Sequence, residues 1–264
     1  MEFFVRGERT FASTGGRAHE PGAPNIVFIH GSGQNRLTWI HQSRKAAYRG
    51  YNVLALDLPG HGNSAGECLS SIETQADWIV DAMAAADMDT ATIVGHSQGV
   101  LNVLEIASRF PALASQIILI SAALAIPVND LLLKWGRDTP TKAFAAMTGW
   151  GHGDPGHRYD NTMPGHNHLG NGINLMAMNA DGTLSTDLTA CNNYRNGRQA
   201  ATMISTQALV VLSEQDKMTP IKSGRELVDS LPNVRAIELA GTGHFSPVER
   251  PQEINDAIFN FMEN

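Results

Sequence analysis

The chain has 264 residues, with 42% hydrophobic and 17% charged residues, so a sizeable buried core is expected and disorder is not. Nineteen Lys and Arg against 26 Asp and Glu leave a net charge of −7 with no basic cluster, which argues against nucleic acid or an anionic membrane surface as partner. The two cysteines, Cys68 and Cys191, form no CxxC, which excludes a disulfide scaffold or a Cys-rich zinc site.

In chain order, Phe3–Arg6 and Thr10–Ala12 suit a hairpin across Gly7-Glu8. The apolar run Ile26–Ile29 reads as a buried strand entering the loop His30-Gly31-Ser32-Gly33. Residues from about Leu37 to Tyr48 read as helix, Val53–Asp57 as strand, and Pro59-Gly60-His61-Gly62 as a turn. Ser71–Met88 carries Ile72, Ala76, Ile79, Val80 and Met83 at helical spacing. Then come the strand Ala91–Val94, the helix Gln98–Arg109 stopped near Pro111, and the strand Ile117–Ile120. Later strands are Leu209–Leu212 and Val234–Leu239, before a closing helix from about Pro251 to Met262. Continuous apolar strands alternating with helices imply an α/β fold, with a mostly parallel sheet covered on both faces.

Over eighty residues separate the strands ending at Ser121 and starting near Ala208, where a dozen or so would complete a parallel crossover. Asp130–Met147 and Leu184–Met203 look helical, and the middle, Gly149 to Gly182, is rich in Gly, His and Asn. The expectation is a cap inserted at residues 125–206, over a core made of residues 1–124 and 207–264. Neither repeats nor low-complexity tracts occur, and the absence of a signal-type run in Met1–Thr14 or of any ~20-residue apolar span suggests a cytoplasmic protein.

Gly95-His96-Ser97-Gln98-Gly99 fits G-x-S-x-G between a strand and a helix. A serine on so sharp a turn has strained backbone angles, and glycine on either side removes the clash that larger side chains would make. Ser97 is the candidate nucleophile. Negative charge developing on an attacked carbonyl calls for two backbone N–H donors. One is assigned to Gln98 at the helix start and the other to Ser32, with Gly33 as the alternative.

The base is assigned to His244 on the loop Gly241-Thr242-Gly243-His244, and its orienting acid to Asp216 after the strand Leu209–Leu212. Glu214 and Asp130 are rival acids. His96 flanks the nucleophile and cannot bend back to serve it, so it reads as structural. The chain order Ser, Asp, His is the one this kind of sheet uses.

His30-Gly31-Ser32-Gly33, Asp57-Leu58-Pro59-Gly60-His61-Gly62-Asn63-Ser64, Gly95–Gly99, Asp216 with Pro220, and Gly243-His244 with Glu249 and Pro251 together resemble the α/β-hydrolase family. The match spans the chain except about 125–206. It implies an eight-stranded sheet with a helical cap after the sixth strand, and a structural role for Asp57–Ser64. Relatives that hydrolyse haloalkanes or epoxides use aspartate where this chain has Ser97. The expectation is therefore a serine esterase acting on a small acyl substrate through an acyl-serine intermediate, without cofactor or metal. C–C bond hydrolysis next to a carbonyl, and a ligand receptor with negligible turnover, are the alternatives; oligomeric state stays open.

Two glycine patterns, Gly60–Ala65 and Gly151–Gly156, mimic dinucleotide fingerprints but open no obvious helix. His152, Asp154, His157, His166 and His168 are metal-ligating types without ligand spacing, so a polar loop is preferred. Met147, Met163, Met176, Met178 and Met203, with Trp135 and Trp150, either line a pocket or pack cap on core, the second being the more common use.

Overall fold

The computed structural model describes residues 1–154 and 167–263. Its strands are β1 (Glu2–Val5), β2 (Glu8–Ser13), β3 (Asn25–Ile29), β4 (Asn52–Leu56), β5 (Ala91–His96), β6 (Ala114–Ile120), β7 (Ala208–Ser213) and β8 (Val234–Leu239). They form one eight-stranded sheet in the order β1-β2-β4-β3-β5-β6-β7-β8. β1 and β2 pair antiparallel with each other, as do β2 and β4, and the other neighbours are parallel. This is the eight-stranded, mostly parallel sheet expected from the sequence.

Strand alternation sends successive side chains to opposite faces and builds two cores. Val27, Ile29, Leu54, Ile93 and Val210 meet Ile79 and Met83 of α2 (Ile72–Ala85) and Val103 and Leu104 of α3 (Gln98–Arg109). Ile26, Phe28, Val53, Val94 and Val211 face the other way, onto Ala46 of α1 (Ile40–Tyr48) and, near the C-terminus, Ile254, Ile258 and Phe259. Ser71 caps α2 by accepting from Thr74 N, which explains where that helix starts. The helix expected from Leu37 divides into a 3-10 turn, Arg36–Trp39, and then α1; the turn is capped by the Asn35 side chain accepting from Leu37 N.

Between β6 and β7 lie α4 (Asp130–Asp138), α5 (Pro140–Gly151), α6 (His168–Ala177), α7 (Thr183–Asn193) and α8 (Gly197–Met203). Leu132, Ala143, Met147, Met176, Leu184 and Leu188 form a small core of their own among α4 to α7. Ala200 and Ala201 of α8 instead join the core on the sheet. α6 is a helix in the Gly-, His- and Asn-rich middle, where the residues alone point to no helix: Asn167 caps it by accepting from Gly170 N, and Met176 anchors it in the small core. Three further helices follow β7: α9 (Ile221–Ser230), α10 (Ser246–Glu249) and α11 (Pro251–Met262). Among the described residues no helix is long and apolar enough to cross a membrane.

Candidate active site

β5 ends at His96, and α3 begins at Gln98, so Ser97 alone makes the turn. Its backbone lies at φ 53°, ψ −119°, a region that costs a non-glycine residue about 1–3 kcal/mol. Ser97 N donates to Ile120 O at 3.1 Å, and Val100 N donates back to Ser97 O at 2.8 Å, so the surroundings hold this conformation in place. A Cβ on Gly95 would overlap the Gly99 carbonyl, and one on Gly99 would overlap the Ile29 carbonyl. Both glycines are thus required by the close approach of the turn to its own helix and to β3.

The loop after β3 runs alongside. Gly31 N donates to Gln34 Oε1 (3.1 Å), Gly33 N to Asp187 Oδ2 (2.7 Å) and Gln34 N to Gly31 O (3.1 Å). Within Gly31–Gln34, Ser32 N is the amide that meets no acceptor among the described residues, and Gln98 N at the helix start meets none either. The Ser32 hydroxyl donates to Gln98 Oε1 at 2.6 Å, joining the two stretches. Gly33, the alternative donor, already spends its N–H on Asp187.

His244, after β8, has its Nδ1 2.8 Å from Asp216 Oδ2. Asp216, after β7, accepts on Oδ1 from Met218 N and Thr219 N, each at 2.8 Å. Burial opposes charge on Asp216, but the facing imidazole and these donors outweigh it and hold the carboxyl below its usual range. The His244 carbonyl is fixed by Ser121 Oγ at 2.7 Å and lies 2.8 Å from His96 Nε2. His96 therefore braces the His244 backbone, and burial followed by the neighbouring His244 lowers its pKa to about 3, so it stays neutral. The rival acids lie elsewhere: Glu214 is exposed and accepts from Gly241 N, and Asp130 is exposed at the start of α4.

Gly31, Ser32, Ser97 and His244 open onto one cavity of about 110 Å³. Ile126, Val128, Leu132, Met147, Trp150 and Leu188, all from the stretch between β6 and β7, make it largely apolar. Residues 26–257 match the family model described as "Alpha/beta hydrolase family". The chain belongs to the alpha/beta hydrolase family. It is 26% identical over 267 residues to an uncharacterized protein, Rv2715, of Mycobacterium tuberculosis, covering 91% of this chain and 75% of the relative. It is 23% identical to the 2-hydroxy-6-oxononadienedioate/2-hydroxy-6-oxononatrienedioate hydrolase of Paraburkholderia phymatum, over 91% and 88% of the two chains. Among solved structures, the enol-lactonase of Burkholderia xenovorans LB400 superposes with a TM-score of 0.89 over 100% of both chains, at 21% identity.

In this alpha/beta hydrolase, Asp57 accepts from Arg36 N (2.8 Å), Asn63 N (2.9 Å) and the Arg36 guanidinium, so it holds the turn after β4 together. No group of three or more His, Cys, Asp or Glu suited to a metal occurs among the described residues. His152 and His168 stack at 5.3 Å; His157, His166 and Met163 lie outside the described residues, as do Pro155 and Gly156 of the second glycine pattern. Met176 and Met178 line a second cavity, of about 280 Å³, which shares Gln34 and Phe245 with the first.

Sequence reasoning named Glu249 only as part of a motif. It is buried, and its two oxygens accept from Gly153 N (3.0 Å) and Gly243 N (3.1 Å), which docks the end of α5 on the His244 loop. Phe245 N donates to Gly151 O (3.2 Å), and Asp154 N to Gln215 Oε1 (2.8 Å), on the same seam. Burial pushes the Glu249 carboxyl up to about 6 despite the two amides. A carboxyl whose pKa rises on folding favours the folded state most when protonated, and that advantage shrinks as pH rises from its ordinary value of 4.5 to about 6. Relative to Glu249→Gln, the wild type should therefore lose about 2 kcal/mol of stability between pH 4 and pH 7. Urea denaturation of both proteins at several pH values measures this, and a pH-independent difference would contradict the assigned environment.

Proposed function

We propose that the chain hydrolyses a carboxylic ester or related acyl compound, with Ser97 as nucleophile, His244 as base and Asp216 as orienting acid. The observation that carries this reading is the Asp216–His244 hydrogen bond, with His244 lining the cavity that the strained Ser97 also lines. His244 Nε2 accepts the Ser97 proton as Oγ bonds to the substrate carbonyl carbon, and the C=O electron pair moves to oxygen. The Ser32 and Gln98 amides receive that oxyanion. Collapse expels the alcohol, which takes the proton from His244. Water, deprotonated by His244, then adds to the acyl–Ser97 carbonyl, and a second collapse releases the acid and restores the serine.

The small apolar cavity favours a short acyl group. The name of the Paraburkholderia relative supports a second reading, hydrolysis of a C–C bond beside a carbonyl. A fluorophosphonate probe and a panel of p-nitrophenyl esters, set against a vinylogous diketone, test both. The expected result is stoichiometric labelling of Ser97 and fastest turnover of acetate or butyrate. Diketone cleavage with inert esters would replace the first reading by the second. Absence of labelling and of any turnover would refute both.

A further inference from the structure

Asp187 is a buried acid that this reaction scheme leaves unused. It lies on α7, between β6 and β7, with 0% exposure. Its Oδ2 accepts from Gly33 N at 2.7 Å and lies 2.9 Å from His61 Nε2, and its Oδ1 accepts from Gln98 Nε2 at 3.2 Å. These three donors stand on the loop after β3, the turn after β4 and the first residue of α3. Gly33 follows Ser32, and Gln98 follows Ser97. The carboxylate therefore grips both stretches whose amides are assigned to the oxyanion. The Ser32–Gln98 side-chain bond at 2.6 Å closes the ring.

His61 completes the arrangement. Its Nδ1 lies 3.0 Å from the Pro59 carbonyl and its Nε2 faces Asp187, so both ring nitrogens meet oxygen acceptors. A proton on Nδ1 bonds the Pro59 carbonyl, and one proton between Nε2 and Oδ2 closes the contact with Asp187. Burial opposes the His61 charge, but Asp187 outweighs it and raises the pKa; Asp187 is lowered against its own burial by His61 and Gly33 N. His30, with its ring 4.7 Å away, is lowered to about 3 by burial and then by His61, and stays neutral. A carboxylate held by three partners on three separate segments has little freedom to rotate, which suits a part that must hold other groups still.

We infer that Asp187 is a positioning residue for the oxyanion hole, its carboxylate fixing the spacing between the Ser32 and Gln98 amides, so that the segment between β6 and β7 completes the hole. The inference rests on the acyl-enzyme reading above. Asp187→Asn keeps the shape but puts an N–H₂ where one donor now bonds, and it leaves His61 without its counter-charge. The expected result is a fall in kcat for p-nitrophenyl acetate of about 10- to 100-fold, below the loss from deleting an oxyanion donor outright. KM should stay within about threefold, and the rate of fluorophosphonate labelling should drop in the same proportion, because the phosphoryl oxygen occupies the same hole. A role confined to anchoring the helices would lower Tm while kcat per titrated active site stayed unchanged. Folded Asp187→Asn with kcat and labelling rate within twofold of wild type overturns the inference. Should that variant fail to fold, His61→Gln decides, since it keeps an N–H toward Asp187 but no charge. A several-fold loss of kcat at constant KM supports the inference, and unchanged kcat overturns it. Wild-type protein labelled on Ser97 beside an equally reactive Asp187→Asn refutes the positioning role alone. Wild-type protein that is neither labelled nor active refutes the acyl-enzyme reading, and the inference with it.

Discussion

Ser97→Ala is expected to lower kcat on p-nitrophenyl acetate by about 10⁶-fold, to the level that binding and the oxyanion hole alone sustain. Only the hydroxyl is lost. The backbone bonds that hold the turn, Ser97 N to Ile120 O and Val100 N to Ser97 O, involve no side-chain atom, and alanine carries the same φ penalty at 53° as serine does. Tm should therefore stay within about 2 °C of wild type, and circular dichroism should be unchanged. A folded variant with more than about 1% of wild-type turnover, far above the residual rate expected for a lost nucleophile, would remove Ser97 from the reaction.

Asp216→Asn should cost about 10⁴-fold in kcat, although the substitution is nearly isosteric. Asp216 Oδ1 accepts two backbone amides, from Met218 and Thr219, both at 2.8 Å. An asparagine must keep its oxygen there, because an N–H₂ would meet two N–H donors. Its Nδ2 then takes the place of Oδ2, 2.8 Å from His244 Nδ1. That nitrogen must become an acceptor, which puts the imidazole proton on Nε2 and removes the lone pair needed for the Ser97 proton. NMR of the His244 ring nitrogens checks the tautomer, and stopped-flow kinetics check the rate. A variant with a protonated Nδ1 and near wild-type kcat would show that Asp216 does not orient the base. Thr219 was not singled out from the sequence, yet its amide helps decide this outcome.

Local constraints made much of this site readable from the residues themselves. Ser97 sits at a positive φ with glycines on both sides, and only such a pattern tolerates the close approach of β5, α3 and β3. The central strands were legible because both their faces are buried, which forces unbroken apolar runs such as Leu209–Leu212. The helix His168–Ala177 was not. Gly170, Gly172 and two asparagines give it poor intrinsic propensity, and its cap at Asn167 and the burial of Met176 are needed to hold it. The break between Arg36–Trp39 and Ile40–Tyr48 also escaped, since apolar spacing runs through both.

By itself, the sequence determined the alternation of strands and helices, the identity of the sharp turn and the order in which serine, aspartate and histidine arrive. Only the tertiary structure decided that Gly33 gives its amide to Asp187 while Ser32 keeps its own free of a protein acceptor among the described residues. It also revealed Asp187 and Glu249 among the acids that join the helical stretch to the core. The reason is the range of the forces involved. Backbone geometry and strand burial act within a few neighbouring residues and leave their mark on composition. A buried carboxylate answers to donors 89, 126 and 154 positions away, and nothing in the residues beside it records where those donors will be once the chain has closed around them.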